Sequence, residues 1–136
     1  VVFLSKDRIL ITGDIVVHPV PYLCSGYPSE WAETLRRLAD LDPQTIIPGH
    51  GDVLHDLTYP RRVEKLLSDV VTEVRHSLYT QGNGKPLDDI RKQIEQDINF
   101  DTLRHEFDGG IPDNFDQSSA IPKCLVRNAY YEEVLR

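Results

Sequence analysis

Ile9-Leu10-Ile11-Thr12-Gly13-Asp14 and, further along, Ile46-Ile47-Pro48-Gly49-His50-Gly51 are the two stretches that decide how this chain is read. Each is a short apolar run of the kind that forms a buried strand, and each ends in glycine beside a polar side chain able to bind a metal. In layered α/β folds the loops that leave strand ends are where ligands are held, because a rigid sheet fixes the first side chains of each loop. Glycines at positions 13, 49 and 51 let the backbone turn tightly and approach an ion closely. A carboxylate can bridge two cations and a neutral imidazole binds one through a ring nitrogen, so Asp14 and His50 are candidate metal ligands. Two ligands do not complete a catalytic site, which takes about three protein donors and an open position. By residue type and spacing alone, both stretches are also ordinary turn sequences.

Outward from these stretches, residues 1–4, a polar Ser5-Lys6-Asp7 turn and residues 8–12 read as a β-hairpin rich in Val, Ile and Phe. Gly13 breaks the pattern, Ile15, Val16 and Val17 extend it briefly, and Pro19 and Pro21 turn the chain into a loop through Cys24, Gly26 and Pro28, long enough to rim a site. Ser29 is the expected N-cap of a helix that carries Glu30 and Glu33 in its first turn and Trp31, Leu35, Leu38 and Leu41 on one face. Thr45-Ile46-Ile47 is the next strand. From residue 60 to about 81, Val63, Leu66, Leu67, Val70, Val71, Val74 and Leu78 recur at helical steps. Gly82-Asn83-Gly84 is a stop, Pro86 restarts the chain, and Leu87, Ile90, Ile94 and Ile98 mark a further helical stripe. Residues 101–116 read as irregular. A last helix, from Ser118 or Pro122 to Leu135, is expected to bury Leu125, Val126, Ala129, Tyr130 and Val134. The class is α/β, layered (α+β), in a single domain: a β/α part over residues 1–57 and a mainly helical part over 58–136.

With 136 residues, 40% hydrophobic and 27% charged, the chain has the composition of one globular domain. A net charge of −7 opposes binding to nucleic acid or to an anionic membrane. No apolar run is long enough to span a bilayer. The chain opens on Val1-Val2-Phe3-Leu4 without Met, which reads as a cut end, and no leader pattern is present. Cys24 and Cys124, the only two cysteines, show no metal-type spacing and no disulfide framework, so a reducing, cytoplasmic compartment is expected.

The pair of stretches quoted first resembles the last two metal motifs of the metallo-β-lactamase-fold superfamily of metal-dependent hydrolases. The segment Tyr27-Pro28-Ser29-Glu30-Trp31 and the helix after it are similar to a hydrolase branch of that family. The likeness covers residues 1 to about 80, and the rest is a helical C-terminal extension. It implies half of an αββα sandwich, with Asp14 as the carboxylate that bridges two metals and His50 as the histidine that completes the second metal's shell. It also implies two zinc ions per complete site, iron or manganese being alternatives, and a small-molecule substrate. The family's His-x-His-x-Asp-His motif and its separate histidine are absent: His18, His55, His76 and His105 stand singly, at positions that do not suit those roles. Losing those ligands removes most of the metal-binding energy, so the chain alone is expected to be inactive.

The remaining candidates have plainer readings. His18 is either a residue of the pocket rim or, more plainly, a solvated loop histidine, and His55-Asp56 is either a pair that supports the metal ligands from behind or a helix-entry cap. Tyr22, Tyr27 and Trp31 are candidates to line a pocket, with Trp31 also suited to the core. His76 and His105 receive no role. Cys24 is read as an inert thiol. Asp108-Gly109-Gly110 and Asp113-Asn114 are turns without the spacing of a calcium loop. Two functional readings follow: a C-terminal fragment or split half of a metal-dependent hydrolase, needing its N-terminal half or a second copy, and a stand-alone, self-associating protein- or ligand-binding domain. Both expect an apolar face that water does not cover cheaply, and hence a partner chain or oligomer.

Overall fold

A computed structural model describes residues 1–22, 24–81, 86–98, 107 and 117–135. Among them the elements run β1 (Val2–Leu4), β2 (Ile9–Val17), α1 (Pro28–Asp40), β3 (Thr45–His50), α2 (Thr58–Gln81), α3 (Leu87–Asp97) and α4 (Gln117–Val134). The expected mixed α/β class is the observed one. The irregular stretch expected over residues 101–116, with His105 and the two acidic turns, lies outside the described residues except for Phe107, which is buried.

The three strands form one sheet in the order β1-β2-β3, antiparallel between β1 and β2 and parallel between β2 and β3. Gly13 does not end its strand: β2 continues to Val17, and the register with β3 shifts on either side of Gly13, which sits at φ +57°. Alternation in β2 and β3 turns Leu10, Thr12, Val16 and Ile46 to the covered face of the sheet, where they meet Leu35, Leu38 and Ala39 of α1 and Pro60 of α2 around one small void. Beyond the sheet, α2 is the central pillar. Its Val63, Leu66, Leu67, Val70, Val71, Val74 and Leu78 are all buried, against α1 on one side and α3 and α4 on the other, with Ile90, Ile94, Leu125, Val126 and Ala129 in the same core. Each such Val or Leu contributes roughly 1.5–3 kcal/mol when removed from water, so this stripe dominates the stability of the helical part.

On the opposite face of the sheet, apolar side chains are left partly exposed among the described residues. Val2, Ile11 and Ile47 stand in one row across all three strands, Val2 paired with Ile11 and Ile11 with Ile47, and they are 54%, 37% and 37% exposed. Leu4 extends the patch. An apolar row across the width of a sheet is the face that a second layer covers in a layered fold.

Four local expectations are corrected. Ser29 is not the N-cap of α1. The cap residue is Tyr27, Pro28 opens the helix where its missing N–H costs nothing, and the backbone N–H of Ser29 is taken up by Glu132 Oε2 of α4 at 3.0 Å, with the Ser29 hydroxyl donating to Oε1. A buried carboxylate 103 residues away thus does the work expected of a neighbouring side chain. Val134, expected to be buried, is exposed at the last turn of its helix, and Leu41, expected on the apolar face of α1, is exposed as the residue that caps its end. Finally, Cys24 and Cys124 are joined in a disulfide that ties the loop before α1 to α4. Their separation of 100 residues is why no spacing pattern revealed it. The bond withdraws the ground for expecting a reducing compartment, since disulfides persist in oxidising surroundings. Among the described residues, no helix is long and apolar enough to cross a membrane.

Candidate functional site

The two motifs meet. Asp14 follows the Gly13 irregularity in β2, and His50 ends the parallel neighbour β3. Their side chains face each other with His50 Nδ1 3.0 Å from Asp14 Oδ1. Neither is covered: the side chains are 68% and 74% exposed.

Backbone contacts explain how two loops reach this register. At the base of the His50 loop, Ile46 and Leu54 exchange N–H···O bonds of 2.8 and 2.9 Å, so the chain closes on itself around Pro48-Gly49-His50-Gly51. At the tip, the His18 N–H donates to the His50 carbonyl at 3.1 Å. Two glycines make the approach possible. A Cβ on Gly49 would lie 2.2 Å from Asp14 Oδ1 and 2.6 Å from the Gly13 carbonyl carbon, and one on Gly51, already at φ +86°, would lie 2.1 Å from the His18 carbonyl oxygen. The end of β2 is also held from below: the Tyr59 hydroxyl donates to the Val17 carbonyl, and burial pushes the Tyr59 phenol well above its ordinary pKa. Thr12 Oγ1 donates to the Gly13 carbonyl at 3.0 Å beneath the same turn.

Beside the pair lies an open cleft of about 340 Å³, lined by Val17, Val20, Tyr22, Ser25 and Trp31 as well as by Asp14 and His50. Trp31 fulfils both of its expected roles. Its ring packs against the core and faces the cleft, and its Nε1–H donates to the Ile15 carbonyl at 3.0 Å. Tyr22 lines the cleft and Tyr27 does not. His18 departs from a solvated loop histidine: its ring is half-buried, edge-on to Tyr59 at 4.8 Å, with Nδ1 buried and unbonded. His55 is exposed, while Asp56 Oδ1 accepts the Thr58 N–H at 2.7 Å as the entry cap of α2. That bond holds the Asp56 carboxyl below its ordinary range. His76 is exposed on α2, away from the pair. The sequence reading missed the roles of Val17, Val20, Ser25 and Tyr59. The first three sit in a stretch whose apolar and small residues carry no periodic signal, and Tyr59 precedes the α2 stripe.

The 3.0 Å Nδ1–Oδ1 separation is that of a direct hydrogen-bonded or ion pair, and two donors at right angles around a cation with bonds of about 2.0–2.2 Å stand about 3 Å apart as well. The set is incomplete, for among the described residues no cluster of three or more His, Cys, Asp or Glu side chains is arranged to hold an ion. Compared with known proteins, the chain matches no family model and no curated protein.

Proposed function

We propose that this chain is the C-terminal half of a metal-dependent hydrolase of the metallo-β-lactamase type. In this reading it contributes Asp14 and His50 to a two-metal site whose other donors come from an N-terminal half or a second chain. One observation carries the reading: two metal-competent side chains from strand ends distant in sequence are brought to 3.0 Å by loops whose glycines permit no Cβ. The partly exposed row of Val2, Ile11 and Ile47 supports the second half of the proposal, since a partner layer would cover it. When bound, a pair of zinc ions, or iron or manganese in their place, would lower the pKa of a water to give hydroxide at neutral pH. Asp14 would hold the shared side of the pair, His50 would fix the second ion, and the cleft would hold a small-molecule substrate beside them.

With two donors only, the chain alone is expected to bind zinc at most weakly and reversibly. An NMR titration with zinc is expected to shift the Asp14 and His50 resonances together, and Asp14→Ala is expected to remove the response at His50. Shifts centred on His55 or His76 instead, or none at millimolar zinc, would overturn the assignment.

A further inference from the structure

The cleft beside the pair defines a class of ligand, and this step rests on the metal reading only for making the cleft the place of reaction. Its walls are Val17, Val20, Tyr22 and Trp31, with the hydroxyls of Ser25 and Tyr22 as neutral polar groups. Among the described residues, no Lys or Arg lines it, and its titratable lining residues, Asp14 and His50, are engaged with each other. Away from that pair, an anionic substituent such as a carboxylate or phosphate would lose its hydration against apolar walls with no Lys or Arg to replace it. A volume of about 340 Å³ is at the small end of ligand pockets, enough for a ring with a short chain.

The walls are also held in place before any ligand arrives. Trp31 is fixed by its bond to the Ile15 carbonyl, and the loop that carries Val20, Tyr22 and Ser25 is tethered to α4 through Cys24–Cys124. Pre-organised apolar walls bind without the ordering cost that a mobile loop would impose.

We infer that the group this cleft takes is uncharged and apolar, an aromatic or short alkyl substituent, held against Trp31 and Val20. Substrates bearing their negative charge on that side are disfavoured.

Trp31 is the chain's single tryptophan, so its fluorescence reports from the cleft wall. Titration of the 136-residue chain with phenylbutyramide is expected to give a saturable change, half-complete on the order of 1 mM or below. Phenylbutyrate, of the same shape with one negative charge, is expected to need at least about threefold more. Val20→Lys puts a cation into the wall and is expected to reverse that order, a gain that a misfolded chain would not show. No saturable change with the amide, or an unreversed order in Val20→Lys, overturns the inference. The metal reading is judged separately by the zinc titration: a cleft that takes the amide beside a pair that takes no zinc sinks the metal assignment and keeps the ligand class.

Discussion

Removing the Cys24–Cys124 bond tests the tertiary arrangement most directly, because its effect follows from one number. The bond closes a loop of 100 residues. If it acts mainly by restricting the unfolded chain, a loop of that length corresponds to about 4.7 kcal/mol near room temperature, with measured values for native disulfides more often about 2–4 kcal/mol. Single domains are stable by only about 5–15 kcal/mol, so the bond accounts for a large share. Urea unfolding of the Cys24→Ser/Cys124→Ser double variant is the assay. With a slope of about 2 kcal/mol per molar urea, the midpoint is expected to fall by roughly 1–2 M. The same shift is expected for the native chain under reductant, and thiol titration of the unreduced native protein should find no free thiol. Two reactive thiols in the folded protein, or midpoints that coincide with and without reductant, would refute the reasoning.

Three further outcomes follow from the packing. Glu132→Ala removes a buried carboxylate that accepts both the Ser29 N–H and its hydroxyl, and is expected to cost about 2–4 kcal/mol in urea unfolding, with Glu132→Gln costing less because one acceptor remains. Gly49→Ala forces a Cβ against the Gly13-Asp14 backbone, and is expected to destabilise by about 1–3 kcal/mol and to abolish the zinc-dependent shift at His50; unchanged stability would mean that the two loops are not in contact. The Asp56 carboxyl, held low by the Thr58 N–H, contributes its cap fully above the ordinary value of 3.8 and loses it as the pH falls below that value through the lowered one. Exchange protection of the Thr58 amide should fall in that acid range in the native chain and be weak at all pH values in Asp56→Ala.

Much of the fold was legible in residue order. The hairpin, the strand at 45–47, the α2 stripe and the helix at 87–97 were all readable because each is a local pattern: an apolar run ended by glycine or proline, or leucines and valines repeating at helical spacing. The boundaries that moved did so for reasons no local pattern carries. β2 passes through Gly13 because β3 lies alongside and accepts a shifted register, and α1 opens at Pro28 because Glu132 arrives from α4.

Of the candidate site, residue identity was local and the arrangement was not. Asp14 and His50 announced themselves by following apolar strands with glycine beside them, and Gly49 and Gly51 by standing where the backbone must come close. That the two side chains face each other at 3.0 Å depends on parallel pairing of β2 with β3 and on the Ile46–Leu54 closure. The cleft walls, the Tyr59 anchor, the Glu132 cap and the disulfide join parts of the chain far apart in sequence, and such contacts leave no trace in periodicity or spacing. Sequence by itself determined where most strands and helices fall and which side chains beside glycine at strand ends are of a type able to bind a metal. Tertiary structure alone decided which of them meet, because pairing register and packing are set by distant partners rather than by neighbours along the chain.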